Sequence, residues 1–253
     1  MESVLIVGYG TVGHNLHKEL IVLSPDIYDK YKVDVITKKA GKKYDFCFIC
    51  VDTPLTNESV CDTTEVVNAI TENDASIYII KSTVLPTTTE KLSHKFNKHI
   101  VFSPEYYGGT QHCNNFDFNF TILGGQKDDC LKVVQLLQHV YDARHTFHIV
   151  DAQTAELAKY MENCYLATKV VFCNQFNKIS EQIGVNYEEL RELFIKDPRV
   201  NPSHTFVYKD KPYYNSHCLN KDVSALAEFT NNEFLKMVIE INDKEKLHKN
   251  KNK

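Results

Sequence analysis

Val4-Leu5-Ile6-Val7-Gly8-Tyr9-Gly10-Thr11-Val12-Gly13 is a short apolar run that ends in a Gly-x-Gly-x-x-Gly turn. The four apolar residues read as a buried strand. Residues 11–23 behind the turn carry Val12, Leu16, Leu20 and Leu23 near helical spacing. A glycine turn between a strand and a helix is the setting that the dinucleotide-binding fingerprint requires. Its glycines permit the tight turn, the close approach of a pyrophosphate and close strand–helix packing. The helix N-terminus offers free N–H groups and a positive dipole end to the phosphates. The fingerprint also calls for an acid about 20 residues on, to bind the adenosine ribose. Asp29 lies at the end of the run Asp26-Ile27-Tyr28-Asp29 and is the first candidate, with Lys30 beside it. Asp34 competes, because residues 32–36 also resemble a strand. An acid at this place favours NAD over NADP, whose 2′-phosphate it repels.

Outward from the turn, apolar runs at 46–51, 76–81, 100–103, 121–123 and 147–150 read as strands, with a helix over 128–140. Continuous apolar strands separated by helices predict a parallel sheet covered on both faces. After residue 150 the pattern changes. Residues 153–183 contain no Gly or Pro, hold apolar residues at helical spacing and predict one long helix stopped by Gly184. Asn186 with Glu189 reads as the start of another helix. Residues 197–217, with Pro198, Pro202 and Pro212, read as loop, and a last helix is expected over 221–241. The expected fold class is α/β: a Rossmann-like doubly wound parallel sheet over 1–150, then a smaller all-helical domain over 151–242. A polar tail, 243–253, is expected to fray.

Composition narrows the function classes. The 253 residues hold 29 Lys+Arg against 33 Asp+Glu, a net charge of −4. A general nucleic-acid binder carries a basic excess, so no nucleic-acid partner is expected. No apolar run approaches the roughly 18 residues of a membrane span. The N-terminus lacks the basic start of a signal peptide, which predicts a cytoplasmic protein with free thiols at its eight cysteines. Cys47-Phe48-Ile49-Cys50 has CxxC spacing but lies in a strand-like run. Residues i and i+3 of a strand face opposite ways, so no metal site is expected there.

Further motifs follow the strands in order: Val51-Asp52-Thr53-Pro54, Lys81-Ser82-Thr83-Val84 and Ser103-Pro104-Glu105-Tyr106. Ala155-Glu156-Leu157-Ala158-Lys159-Tyr160-Met161-Glu162-Asn163 opens the long helix, and Cys218-Leu219-Asn220-Lys221-Asp222 precedes the last one. From residue 3 to about 230 this series resembles the UDP-glucose/GDP-mannose dehydrogenase family, the nucleotide-sugar 6-dehydrogenases. The resemblance implies oxidation of a sugar CH2OH to a carboxylate with two NAD. It implies Cys218 as the nucleophile that traps the aldehyde as a thiohemiacetal and then forms a thioester. It implies Lys159 and Asn163 as donors to a developing oxyanion. Asp222 and Thr83 are implied to position water, Asp222 also as base, and Glu105 is implied in thioester hydrolysis. The cofactor-binding set is Gly8, Tyr9, Gly10, Thr11, Val12, Gly13, Asp29, Lys30, Thr53, Pro54 and Thr83. A homodimer through the 153–183 helix is implied as well, with a UDP-glucose-like substrate.

Three departures qualify the resemblance. Tyr213-Tyr214-Asn215-Ser216-His217 stands where the family usually carries a Gly-Phe-Gly-Gly run. The turn after Val84 reads Leu85-Pro86-Thr87 where glycine is usual, and Thr87 with Glu90 suggests a capping box instead. The family's C-terminal UDP-holding domain has no counterpart in the 12 residues after Ile241, so the resemblance is to a short form. Two alternatives remain beside the four-electron oxidation. One is a single two-electron sugar or alcohol dehydrogenation. The other is a catalytically impaired NAD-binding module kept for dimerisation.

Overall fold

The computed structural model describes residues 2–106 and 118–251, with side chains as far as His248. Cys113 lies outside them. The described residues fall into two compact units, 2–106 with 118–159, and 160–251. Among the described residues, no helix is long and apolar enough to cross a membrane.

The first unit is built on a seven-stranded sheet: β1 (Val4–Val7), β2 (Asp26–Tyr28), β3 (Tyr44–Ile49), β4 (Ala75–Ile80), β5 (His99–Phe102), β6 (Phe120–Gly124) and β7 (Thr146–Val150). The strand order is β2-β1-β3-β4-β5-β6-β7. Every neighbouring pair is parallel except β5 and β6, which meet antiparallel at Phe102 and Gly124. The chain order reverses between β1 and β3, and in such sheets that point opens a ligand crevice beyond the strands' carboxyl ends.

Alternation along the strands divides the core between the two faces. Val4, Ile6, Phe46, Phe48, Ile77 and Ile79 face one side. There they meet Leu16 of α1 (Thr11–Glu19) and Val133 and Leu136 of α4 (Lys127–Leu137). Leu5, Val7, Ile49, Tyr78 and Ile80 face the other. They pack on Val66 and Ile70 of α2 (Thr64–Glu72), on Leu92 of α3 (Thr88–Phe96) and on Ala155 of α5 (Ala152–Ile183). The doubly wound expectation holds. Cys50 and Cys47 sit in opposite clusters, as their spacing on a strand requires. Burial pushes the Cys50 thiol up to about 12.

Helix α5 is 32 residues long, and Asp151 starts it by accepting hydrogen bonds from the N–H and hydroxyl of Thr154 at 2.8 and 2.6 Å. The second unit continues with α6 (Tyr187–Phe194), α7 (His217–Thr230) and α8 (Glu233–Lys251). Asn186 caps α6 as its sequence suggests, accepting from the N–H groups of Glu188 and Glu189 at 2.8 and 3.2 Å.

Five local expectations are corrected. The helix expected over 11–23 ends at Glu19, and Ile21–Leu23 form a separate 3-10 turn. Residues 33–35 form a 3-10 turn, not a strand. The single last helix is two, because Asn231 takes a left-handed conformation (φ 51°) that closes α7. Helix α7 also begins at His217, four residues early, because the Ser216 hydroxyl accepts from the Leu219 N–H at 3.2 Å and supplies the cap. Helix α8 then runs through Lys251, past the point where the tail was expected to fray.

Candidate functional site

The glycine turn is shaped by steric need. Gly8 has φ +91°, and a Cβ there would lie 2.6 Å from the Cys50 carbonyl oxygen. A Cβ on Gly13 would lie 1.9 Å from the Gly8 carbonyl oxygen, so the helix could not pack so close to the strand. Gly10 differs: its Cβ position has nothing within 4 Å. Gly10 is also the N-cap of α1, and no side chain caps that helix. Tyr9, Thr11 and Val12 complete the turn, and the Tyr9 hydroxyl lies 2.9 Å from His17 Nδ1. A cradle with room at Gly10 and free donors at a helix start suits a pyrophosphate.

Asp29 follows β2 directly, whereas Asp34 sits in the 3-10 turn, so the structure sets Asp29 beside the glycine turn. Its Oδ2 accepts from the Tyr9 N–H at 2.6 Å, and its Oδ1 from the N–H groups of Tyr31 and Lys32 at 2.8 and 2.9 Å. Burial alone would raise its carboxyl. The three backbone donors and the Lys32 charge outweigh it and hold the group below its ordinary value. A carboxylate has about four acceptor positions. Three are taken here, which leaves room for a ribose hydroxyl. Lys30 turns away to pair with Glu65 at 3.1 Å.

The ends of β3 and β4 are tied together. Thr53 is buried, and its hydroxyl donates to the Thr83 carbonyl at 2.8 Å. The Ser82 hydroxyl donates to the Val51 carbonyl at 2.6 Å. Pro54 is exposed beside Thr53, and Thr83 is half-buried. Lys81 Nζ reaches across to the Pro104 carbonyl at 3.1 Å, beside half-buried Glu105, and burial lowers its pKa. Lys159 is 6% exposed, with its ammonium 4.6 Å from the Tyr106 ring centroid. A cation over an aromatic face is held by the ring quadrupole.

The Thr87–Glu90 capping box does not form. Thr87 is the N-cap of α3 but adopts φ +80°, and its side chain accepts no capping hydrogen bond. The cap comes from Glu156 of α5, whose carboxylate accepts from the N–H groups of Thr87 and Thr89 at 2.6 and 2.8 Å. Reading the sequence missed this residue. On paper a glutamate in a helix looks like any solvated acid, and only the fold reveals its burial.

In the second unit, Asn163 Nδ2 donates to Asp222 Oδ2 at 2.5 Å, and Lys221 Nζ pairs with Asp222 Oδ1 at 2.6 Å. Asn163, Lys221 and Asp222 are 5, 7 and 0% exposed. Cys218 lies one helical turn before Asp222, in the first turn of α7 rather than ahead of it, and is exposed. Helix starts favour thiolates. Cys164 is buried, and burial, with the Asp222 charge next, pushes it up to about 12. Ahead of Cys218, the Asn242 side chain accepts from the Tyr214 N–H at 2.9 Å and donates to the Tyr214 carbonyl at 3.2 Å. The run that departs from the glycine pattern is therefore held by a buried amide.

Comparison with known proteins identifies the family of the chain. Residues 18–145 match the NAD binding domain of the UDP-glucose/GDP-mannose dehydrogenase family, and residues 153–244 match its central domain. The UDP-N-acetyl-D-mannosamine dehydrogenase of Methanococcus maripaludis is 29% identical over 92% of this chain and 57% of its own length. That of Methanocaldococcus jannaschii is 30% identical over 89% of this chain and 54% of its own length. The chain thus spans a little over half the length of these relatives. A UDP-glucose dehydrogenase structure from Pyrobaculum islandicum shares the fold, with a TM-score of 0.81 and 20% identity over 96% of this chain and 68% of that one. With the family's NAD binding and central domains matched in order along one chain, this protein belongs to the UDP-glucose/GDP-mannose dehydrogenase family.

Proposed function

We propose that the chain is an NAD-dependent dehydrogenase that oxidises the CH2OH group of a UDP-sugar to a carboxylate. The observation that carries this reading is the buried Asn163–Asp222–Lys221 cluster one helical turn from an exposed Cys218. NAD, when bound, accepts hydride from the sugar carbon. The turn of Gly8, Tyr9, Gly10, Thr11, Val12 and Gly13 would hold its pyrophosphate, and Asp29 its adenosine ribose. Thr53, Pro54 and Thr83 stand at the carboxyl ends of β3 and β4, where such a cofactor extends; Lys30 lies at the rim.

The chain's own groups then divide the chemistry. The Cys218 thiolate adds to the aldehyde carbon and forms a C–S bond, and the carbonyl oxygen takes up a proton to give a thiohemiacetal. Lys159 and Asn163, four residues apart on α5, donate to that oxygen while it carries charge; such donors are typically worth about 3 kcal/mol each. The thiohemiacetal carbon then gives its hydride to a second NAD, bound in place of the first, while the hydroxyl proton leaves to solvent, which leaves a thioester on Cys218. Water, positioned by Thr83 and deprotonated by Asp222 or Glu105, cleaves the C–S bond and returns the thiol.

The substrate is either UDP-glucose or a UDP-N-acetylhexosamine, the class named for the relatives. The exposed apolar side chains of α5, among them Met161, Tyr165 and Phe172, support a homodimer through this helix. The thiols, none of them in a disulfide among the described residues, suit a reducing compartment, and we place the protein in the cytoplasm. The deciding experiment incubates the protein with NAD and UDP-glucose or UDP-N-acetylmannosamine and follows NADH absorbance. Turnover with either establishes the class and the better substrate. NAD binding without turnover on any UDP-sugar would favour an impaired binding module.

A further inference from the structure

Glu156 is fully buried, three residues before Lys159, and has no part in the chemistry above. Its two carboxylate oxygens are divided between two backbone donors, Thr87 N–H and Thr89 N–H. Thr87 is a β-branched residue with φ +80° and ψ −4°. Such residues avoid this region, because the Cβ crowds the following carbonyl. The strained residue closes the loop that leaves β4 and carries Thr83. The front of that loop is tied to β3 by the Thr53–Thr83 and Ser82–Val51 hydrogen bonds. Its middle is anchored by Val84, which is fully buried. At its rear the Leu85 and Thr87 carbonyls accept from the N–H groups of Thr88 and Lys91 at 3.1 Å each, within the turn and α3 itself. The tie from there to a distant element runs through the Thr87 N–H to Glu156.

We propose that Glu156 is a positioning residue for the NAD site: it holds Thr87 in its left-handed conformation and so fixes the 81–87 loop at the carboxyl end of β4. The proposal rests on the cofactor lying at that end of the sheet. Two converging N–H donors need an acceptor at each oxygen. A glutamine offers one acceptor and turns an NH2 group on the other donor. One anchor is then lost, Thr87 relaxes to a negative φ, and the loop moves with it. The Thr89 side chain also lies against the carboxylate, and Glu90 of α3 is a like charge near it, so the close partners that favour the carboxylate come from Thr87 and Thr89.

The test measures NAD affinity by calorimetry on the full chain for wild type, Glu156→Gln, Thr87→Gly and the double variant, with thermal midpoints alongside. Glu156→Gln is expected to weaken NAD binding about tenfold, within the range of coupling between contacting residues. Thr87→Gly alone leaves affinity near wild type. In the double variant affinity returns most of the way, because glycine keeps φ +80° without strain and no longer needs the carboxylate. A role as simple helix cap predicts instead that the glycine leaves the loss unchanged. The inference is overturned if Glu156→Gln binds NAD like wild type, or if the double variant binds no better than Glu156→Gln. Should Glu156→Gln fail to fold, the double variant decides: folded with near-wild-type affinity supports the inference, folded without NAD binding overturns it. A wild-type chain that binds no NAD would refute the cofactor site itself, which is a separate result.

Discussion

Asn163 and Asp222 lie 59 residues apart in sequence, yet the amide of one donates to the carboxylate of the other at 2.5 Å in a fully buried setting. The Lys221 ammonium meets the other oxygen at 2.6 Å. A buried carboxylate is tolerated only when paired and hydrogen-bonded, and here both conditions are met. Lys221→Met leaves the carboxylate uncompensated, which typically costs about 3–5 kcal/mol. Thermal denaturation should show a midpoint lower by roughly 6–20 °C for a chain of this size. Adding Asp222→Asn should recover part of that loss, because the charge is gone while Asn163 keeps an acceptor. A single variant as stable as wild type would mean that the ion pair contributes nothing.

Asp29 makes two linked predictions. NAD should bind more tightly than NADP, and Asp29→Asn should narrow the difference by removing the charge that repels a 2′-phosphate; calorimetry with both cofactors reads this. The same carboxylate is held below its ordinary value by three backbone donors after burial is overcome. A lowered folded value means that the unfolded chain binds the proton first. The stabilisation is therefore complete above the unfolded value of about 3.9 and is lost as pH falls through the folded one. Urea midpoints of wild type and Asp29→Asn should differ at neutral pH and converge in acid. A gap that stays constant with pH would contradict this.

Much of this arrangement is legible in the sequence, for physical reasons. The apolar runs of β1, β3 and β4 are buried on both faces, so nothing but a parallel sheet explains them. The glycine turn shows because backbone crowding at Gly8 and Gly13 admits no side chain. Asp29 over Asp34 follows from the strand that ends at Tyr28. Glu156 was not legible: its partners are backbone groups 69 and 67 residues away, and backbone groups leave no mark on composition. The break at Asn231 was not legible either, because the apolar period runs on through it and one left-handed residue ends the helix. The Thr87–Glu90 pattern misled, since a better acceptor from α5 already satisfies the donors that a capping box would serve.

Helix α5 predicts association. Met161, Tyr165, Phe172 and Ile183 are 74, 59, 47 and 69% exposed. Aligned apolar side chains of this size on one long helix normally mark an interface. Light scattering at micromolar concentration should return twice the chain mass. Met161→Glu with Tyr165→Glu should shift the protein toward monomer, with the fold retained by circular dichroism. A wild-type chain that stays monomeric would remove this helix as a dimer surface.

Cys218 carries the prediction that separates one oxidation from two. It is exposed in the first turn of α7, while Cys47, Cys50, Cys61, Cys130, Cys164 and Cys173 are buried. Iodoacetamide should therefore label Cys218 ahead of those six, as mass spectrometry of peptides would show. With an active UDP-sugar the wild-type chain should form two NADH per sugar and release the carboxylate. Each NADH records one hydride removed, and the second can leave only from a tetrahedral carbon that bears a sulfur or a hydrated oxygen. Cys218 supplies the sulfur and keeps the carbon in place between the two oxidations, where oriented reactions gain effective molarities on the order of 10⁵ M or more. Cys218→Ala removes the C–S bond and with it the thioester. The variant should bind NAD normally, since Cys218 has no part in the glycine turn, and should form at most one NADH per sugar at a strongly reduced rate. Two NADH per sugar from Cys218→Ala would show that a hydrated aldehyde, not a thiohemiacetal, is the species oxidised. One NADH per sugar from wild type, with an aldehyde or ketone as product, would make the chain a two-electron dehydrogenase in which the thiol is idle.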